Sequence, residues 1–313
     1  MIHNFIVCLN AVIPLVLYLV VGMLVRKYSV LTEKDVRKFN KMVFVVFFPA
    51  LMFENLYSAD ISEAFDGQLI LFACLFVLAV CGITWAIVVR MDIPDRTRGA
   101  MIQAVYRSNF ILMGLPVAEN IYGKGSVSVT AALIMFVVPL YNFLAVIVLE
   151  YFRGGKPKLG EVLLAVIKNP LIIASVVGLL MKALHITLPD VLVSFAGKMN
   201  SAATPLILML LGASFEVRHI ARYKKQLLVC VGLRLLVFPG AILALAAAVG
   251  LRDIEFVTLL AMSAAPIAVN SFNMAQQLGG DSHLAGSAVV VSTALSFFTL
   301  FFWITLFKQL GMF

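Results

Sequence analysis

Two stretches of the chain, PLVLYLVVGML from Pro14 to Leu24 and PLIIASVVGLL from Pro170 to Leu180, are identical at six of eleven positions with an offset of 156 residues. Val and Leu coincide readily in apolar sequence, so the weight falls on Pro14 with Pro170 and on Gly22 with Gly178. The same offset carries Pro49 to Pro205, Tyr122-Gly123 to Leu278-Gly279, and Ser126 to Ser282. Separated anchors at one offset mark an internal duplication. In an apolar chain such duplication is the trace of transporter repeats that frame a binding site.

The 313 residues are 62% hydrophobic and 13% charged, against about 45–50% and about 25% in a soluble domain. A soluble globular fold is thereby excluded. At about 20 apolar residues per crossing, the chain has room for about ten spans and for no separate soluble domain. Apolar windows fall at 5–25, 38–57, 68–89, 99–122, 127–149, 161–184, 193–214, 226–249, 255–278 and 284–307. The first lacks a preceding basic region and runs on to Arg26 and Lys27, so it reads as a span and not as a cleaved signal. The expected fold is an all-α polytopic membrane protein of ten transmembrane helices. Residues 1–150 form a first five-helix repeat, 151–160 a short cytoplasmic linker, and 161–313 a second repeat. Because five is odd, the second repeat is inverted relative to the first.

The net charge of +8, from 24 Lys and Arg against 16 Asp and Glu, is read here by position and not as affinity for nucleic acid. With the N-terminus outside, the cytoplasmic loops collect 17 basic residues: Arg26, Lys27, Lys34, Arg37, Lys38, Lys41, Arg90, Arg96, Arg98, Arg153, Lys156, Lys158, Lys168, Arg218, Arg222, Lys224 and Lys225. The opposite side holds 5, namely Lys124, Lys182, Lys198, Arg252 and Lys308. Both termini are therefore expected on the non-cytoplasmic side of a bacterial plasma (inner) membrane. Arg107 and Arg234 remain inside spans.

The fourth and ninth windows are interrupted. They read YRSNFILMGLPVAENIYG from Tyr106 to Gly123, and MSAAPIAVNSFNMAQQLGG from Met262 to Gly280. At 1.5 Å per residue, Asn109 lies about 15 Å and Pro266 about 16 Å deep, near the middle of a hydrocarbon core about 30 Å thick. Broken backbone at that depth is tolerated where it is buried or lines a site. Half-helix N-termini present free N–H groups and a positive partial charge, a cradle for an anion. Pro116, Pro266, Asn109, Asn270 and Asn273 are the candidate substrate-binding residues, each Asn serving either as a ligand contact or as a cap on a broken helix. An offset of 156 sets Phe110 opposite Pro266. An offset of 150 matches PVAEN at Pro116–Asn120 to PIAVN at Pro266–Asn270, and competes with it.

With Asn109 followed by Met113-Gly-Leu-Pro116 and Tyr122-Gly123, and with Ala264-Ala-Pro266 followed by AVNSFNMAQQLGG, the chain resembles the auxin efflux carrier family over its whole length. That family groups bacterial permeases with plant auxin exporters and malonate and malate carriers. The resemblance implies two inverted five-helix repeats whose fourth helices cross at paired prolines. It further implies a scaffold domain, formed by the first, second and fifth helices of each repeat, and a moving transport domain that includes the crossing. The substrates it implies are small organic anions whose carboxylate meets Asn109 and Asn270, carried by an alternating-access, elevator-like motion. A homodimer through the scaffold is expected, with proton coupling, sodium coupling and uniport all open. The long cytoplasmic loop of plant members is absent, which takes regulation through that loop away with it.

Charges inside the membrane sharpen the alternatives. Arg107 and Arg234 are candidates for anion attraction or coupling. Arg107 has a competing reading, in which it snorkels to the cytoplasmic face about 12 Å away or pairs with a carbonyl. Glu119 and Glu54 are candidates for a proton or cation site, or else sit in solvent and at the interface. All eight Asp residues fall in loops or at helix ends. That weighs against the alternative function, a cation/proton antiporter on the same architecture, which wants carboxylates at the crossing. His3, His185, His219 and His283 lie at termini or in loops. No catalytic set, nucleotide motif or cofactor site results, and an enzyme is not expected. Cys8, Cys74, Cys81 and Cys230 sit in apolar stretches and suggest neither a disulfide nor a metal site.

Overall fold

In a computed structural model, the described residues are 2–58, 66–123, 125–154 and 159–313. Asp60, Lys124, Lys156, Lys158 and residues 155–158 of the expected linker lie outside them, as do the side chains of His3 and Ser126. Each apolar window carries helix. In chain order the helices are α1 (Ile2–Lys27), α2 (Glu33–Tyr57), α3 (Gly67–Val89), α4 (Asp95–Tyr106), α5 (Phe110–Tyr122), α6 (Gly125–Tyr151), α7 (Leu159–Lys168), α8 (Pro170–Ala183), α9 (Asp190–Ser214), α10 (Val217–Arg222), α11 (Lys224–Val249), α12 (Asp253–Ala264), α13 (Asn270–Gln277) and α14 (Ser282–Gln309). Seven of these are long and apolar enough to cross a membrane, and the pair α7–α8, bent by 59°, adds an eighth. The fourth and ninth windows are each two shorter helices, α4 with α5 and α12 with α13.

Side-chain chemistry sets the helix starts. Thr32 and Asp35 form a reciprocal capping box on α2. Asp66, Asn169 and Asp281 accept first-turn N–H bonds of α3, α8 and α14. Pro14 and Pro170, matched in the repeat, behave differently. Pro14 stays inside continuous α1. Pro170 opens α8, because the Asn169 side chain before it accepts the Leu171 N–H at 3.0 Å and supplies the cap that Ile13 cannot.

Three prolines share one device. Pro49, Pro116 and Pro239 each stand two residues after a π-helical turn, at Val43–Phe47, Phe110–Gly114 and Leu233–Val237. A proline lacks the N–H and crowds the carbonyl four residues back, and a widened turn relieves that crowding. The carbonyl four residues before Pro239, that of Leu235, accepts the Trp303 indole N–H at 2.9 Å instead.

Packing falls into two sets. α1 runs along α9, and α2 along α8 and α9. Gly22 faces the Met209 backbone, and Gly178 faces that of Phe53. In the other set α3 packs on α4 and α6, while α12 packs on α5, α6, α11 and α14. The fifth helix, α6, packs on α3, α4, α5 and α12. α14 touches both sets, through α13 and α1. Over their apolar windows α6 is 67% buried and α9 only 17%, so the core lies around α4–α6 and α12–α13. Asp281 ties this set together at one end. It accepts from the Thr97 hydroxyl at 2.9 Å and the Tyr223 hydroxyl at 3.2 Å while capping α14.

Candidate functional site

Both broken windows break beside each other. Arg107 leaves the helical region at φ −91°, ψ 109°, and Ala265 does so at φ −62°, ψ 146°. The two extended segments pair antiparallel at Ser108 and Ile267. The Asn109 N–H donates to the Pro266 carbonyl at 2.8 Å and the Ala268 N–H to the Arg107 carbonyl at 3.1 Å. The Ile267 N–H finds the Ser292 hydroxyl at 3.2 Å. Backbone groups stranded by the interruptions therefore satisfy one another, as an apolar interior requires. Ser108 and Ile267 stand 159 residues apart, and since antiparallel partners change their separation by two at each step, this pairing does not choose between the offsets of 156 and 150. The offset of 156 returns at Gly123 and Gly279, both at positive φ.

Four helix ends meet here. α4 and α12 finish at the breaks with their carbonyls, while α5 and α13 begin there with their N–H groups. A cavity of about 30 Å³ lies beside the pairing, lined among others by Arg107, Asn109, Asn270, Tyr141 and Thr204. Asn109 is 5% exposed, and its side-chain Nδ2 has no protein partner.

The remaining sequence candidates separate. Pro266 is buried within the pairing. Asn273 is fully buried and does not line the cavity; its Nδ2 donates to the Asn40 carbonyl at 3.0 Å and reaches Asn40 Oδ1 at 3.3 Å. Pro116 and Glu119 are exposed on α5 and are not among the cavity's lining residues. Glu54 pairs with the Asn200 amide between α2 and α9.

Neither intramembrane arginine reaches a membrane face. Arg234, 4% exposed, gives its donors to four carbonyls: Ser263 at 2.8 Å, Met262 and Ala265 at 3.0 Å, and Val105 at 3.4 Å. These belong to the last turns of α12 and α4, so Arg234 clamps the two C-terminal ends. Arg107 is 2% exposed, which overturns the snorkelling reading. It donates to Asn142 Oδ1 and Met274 Sδ, both at 2.5 Å. Asn142, Tyr141 and Met274 were not picked out from sequence; the signal available was a polar Tyr-Asn pair just past Pro139 in an otherwise apolar helix.

A second cavity, of about 480 Å³, lies elsewhere. It gathers Arg26, Arg37, Lys41 and Arg96, all assigned to the cytoplasmic side, together with His283. Among the described residues no group of three or more His, Cys, Asp or Glu could hold a metal.

The sequence profile of a family described as "Membrane transport protein" matches residues 7–158 and 157–304. An uncharacterized transporter of Methanothermobacter thermautotrophicus is 24% identical over 298 residues, covering 94% of this chain and 96% of its own. Another, the uncharacterized transporter MJ1031 of Methanocaldococcus jannaschii, is 20% identical over 303 residues, covering 94% and 97%.

Proposed function

The chain belongs to the membrane transport protein family, the auxin efflux carrier group whose signatures it carries, and on that premise we propose that it is a secondary carrier of small organic anions. The observation that carries this reading is the pairing of the two helix breaks beside a buried cavity lined by Asn109 and Asn270. Helix N-termini and amides at midplane depth suit a carboxylate. No Asp or Glu lines the cavity among the described residues, which favours an anion carrier over a cation/proton antiporter.

In this reading the protein is ten helices in two inverted repeats, 1–150 and 161–313, and α4–α5 crosses α12–α13. Two contacts support the repeat. Gly178 stands 156 residues from Gly22 and Met209 stands 156 from Phe53, and each glycine packs on the second helix of the opposite repeat, Gly22 on the Met209 backbone of α9 and Gly178 on the Phe53 backbone of α2. The set α1, α2, α8 and α9 serves as scaffold and dimer contact, and the set around the crossing moves past it to give alternating access. Both termini lie outside the plasma membrane. The cavity lined by Arg26, Arg37, Lys41 and Arg96, with Glu33 and Glu216, is in keeping with that orientation, since four of the 17 basic residues assigned to the cytoplasmic side share one face there.

Reconstitution into liposomes with counterflow of radiolabelled carboxylates tests the function. Saturable exchange that is lost in Asn109→Ala and Asn270→Ala, with both variants still folded and inserted, is the expected result. Sodium-dependent proton release without any organic anion would instead identify the antiporter.

A further inference from the structure

Arg107 and Arg234 are both buried, and among the described residues neither is paired with a carboxylate. A guanidinium is not deprotonated in proteins, and a buried charge without compensation is costly. The two arginines solve this differently. Arg234 sits on the carbonyl ends of α4 and α12, where the helix dipoles place partial negative charge. Arg107 has only neutral acceptors, Asn142 Oδ1 and Met274 Sδ. It lines the cavity at which α5 and α13 begin, where the dipoles are positive as well. Arg107 and the N-terminal ends of α5 and α13 thus bring positive charge to that cavity, the C-terminal carbonyls of α12 are drawn to Arg234, and among the described residues no carboxylate lines it.

The cavity's shape adds a second constraint. At about 30 Å³ it holds roughly two waters, the size of a carboxylate head. Asn109 Nδ2 is the unpartnered donor in its wall. The other walls include Leu51, Ile111, Leu112 and Val138, and among the described residues Arg107 is the only charged one lining the cavity. A second carboxylate on the ligand would lie against apolar side chains with no counter-charge.

We propose that Arg107 is the specificity-determining residue of this site, selecting a single ionised carboxylate on an apolar body and rejecting both neutral analogues and dicarboxylates. This rests on the carrier reading above. Asn142→Asp gives the sharpest test, because it places a carboxylate where Asn142 Oδ1 now meets the guanidinium. A merely structural arginine would gain from that ion pair and bind ligand as before.

The experiment is thermal stabilisation of full-length protein in detergent by hexanoate, adipate and hexanamide at pH 7.5. Wild type is expected to bind hexanoate at least tenfold more tightly than the other two. Asn142→Asp is expected to melt higher without ligand yet bind hexanoate at least tenfold more weakly. Arg107→Gln should bind hexanoate and hexanamide alike, and Arg107→Lys should keep part of the preference. Adipate binding as well as hexanoate, undiminished hexanoate binding by Asn142→Asp, a preference that survives Arg107→Gln, or no stabilisation of wild type by any monocarboxylate from acetate to octanoate overturns the proposal. Asn109-dependent uptake of a dicarboxylate into liposomes would sink this inference alone and leave the carrier reading standing. Absence of any anion uptake would sink that reading.

Discussion

Gly22 lies so close to the Met209 carbonyl that a Cβ on it would stand 2.0 Å from that oxygen, and Gly212 one turn away faces the Leu19 carbonyl at 2.1 Å in the same sense. α1 and α9 therefore touch backbone to backbone, the approach that small residues allow in membranes. Gly22→Ala must push the helices apart, at a cost of about 1–3 kcal/mol. Gly82 on α3 has open space around it, so Gly82→Ala should be neutral or stabilise by up to about 1 kcal/mol. Melting of the two variants in the same detergent checks the contrast.

Arg234 holds four carbonyls of two helix ends. Arg234→Met leaves them buried and unbonded, and should destabilise the protein on the order of 3 kcal/mol or more. Arg234→Lys should recover only part, because one ammonium cannot span the fork that a guanidinium covers. Thermal unfolding and retention of a monodisperse elution profile measure this. If Arg234→Met melted like wild type, the clamp would be dispensable.

Asn273 faces Asn40 and not the cavity. Asn273→Ala should cost about 1–3 kcal/mol by stranding the Asn40 acceptors, while anion affinity stays within about twofold of wild type. A loss of affinity comparable to that of Asn270→Ala would return Asn273 to the binding site.

His219 on α10 is mostly buried against His283, their ring centres 4.3 Å apart. Burial first, then His283, Arg218 and Arg222, hold its pKa below the ordinary value against the pull of Glu216 at 4.0 Å. The unfolded chain then takes up the proton before the folded one. Stability from this group is full above its unfolded pKa, about 6.5, and declines as pH falls through that value toward the lower folded one. Melting temperature should drop between pH 7.5 and 5.5, and His219→Gln should flatten the drop. A pH profile identical in wild type and His219→Gln would show that other groups govern it.

Much of this was legible beforehand because it is local. An apolar run reports a membrane helix, and a Pro or Asn inside one reports a break, since each depends on a residue and its near neighbours. The breaks at Asn109 and Pro266 belong to that class, whereas Gly22 and Gly178 were read only as anchors of a repeat and their close packing came from the structure. The register at the crossing was not legible. Ser108 pairs with Ile267 through backbone groups of two segments far apart in the chain, a choice that no local residue pattern specifies.

By itself the sequence determined the apolar windows, the interruptions in the fourth and ninth, and membership of a transporter family. What only the tertiary structure decided is the work of the polar groups within those windows. Both arginines look alike in sequence, each a cation in an apolar span. Arg107 meets Met274 across 167 residues and Arg234 meets Ala265 across 31. Asn273 likewise turns to Asn40 across 233. A buried charge is read by what surrounds it in a low dielectric, and those surroundings are assembled from distant parts of the chain.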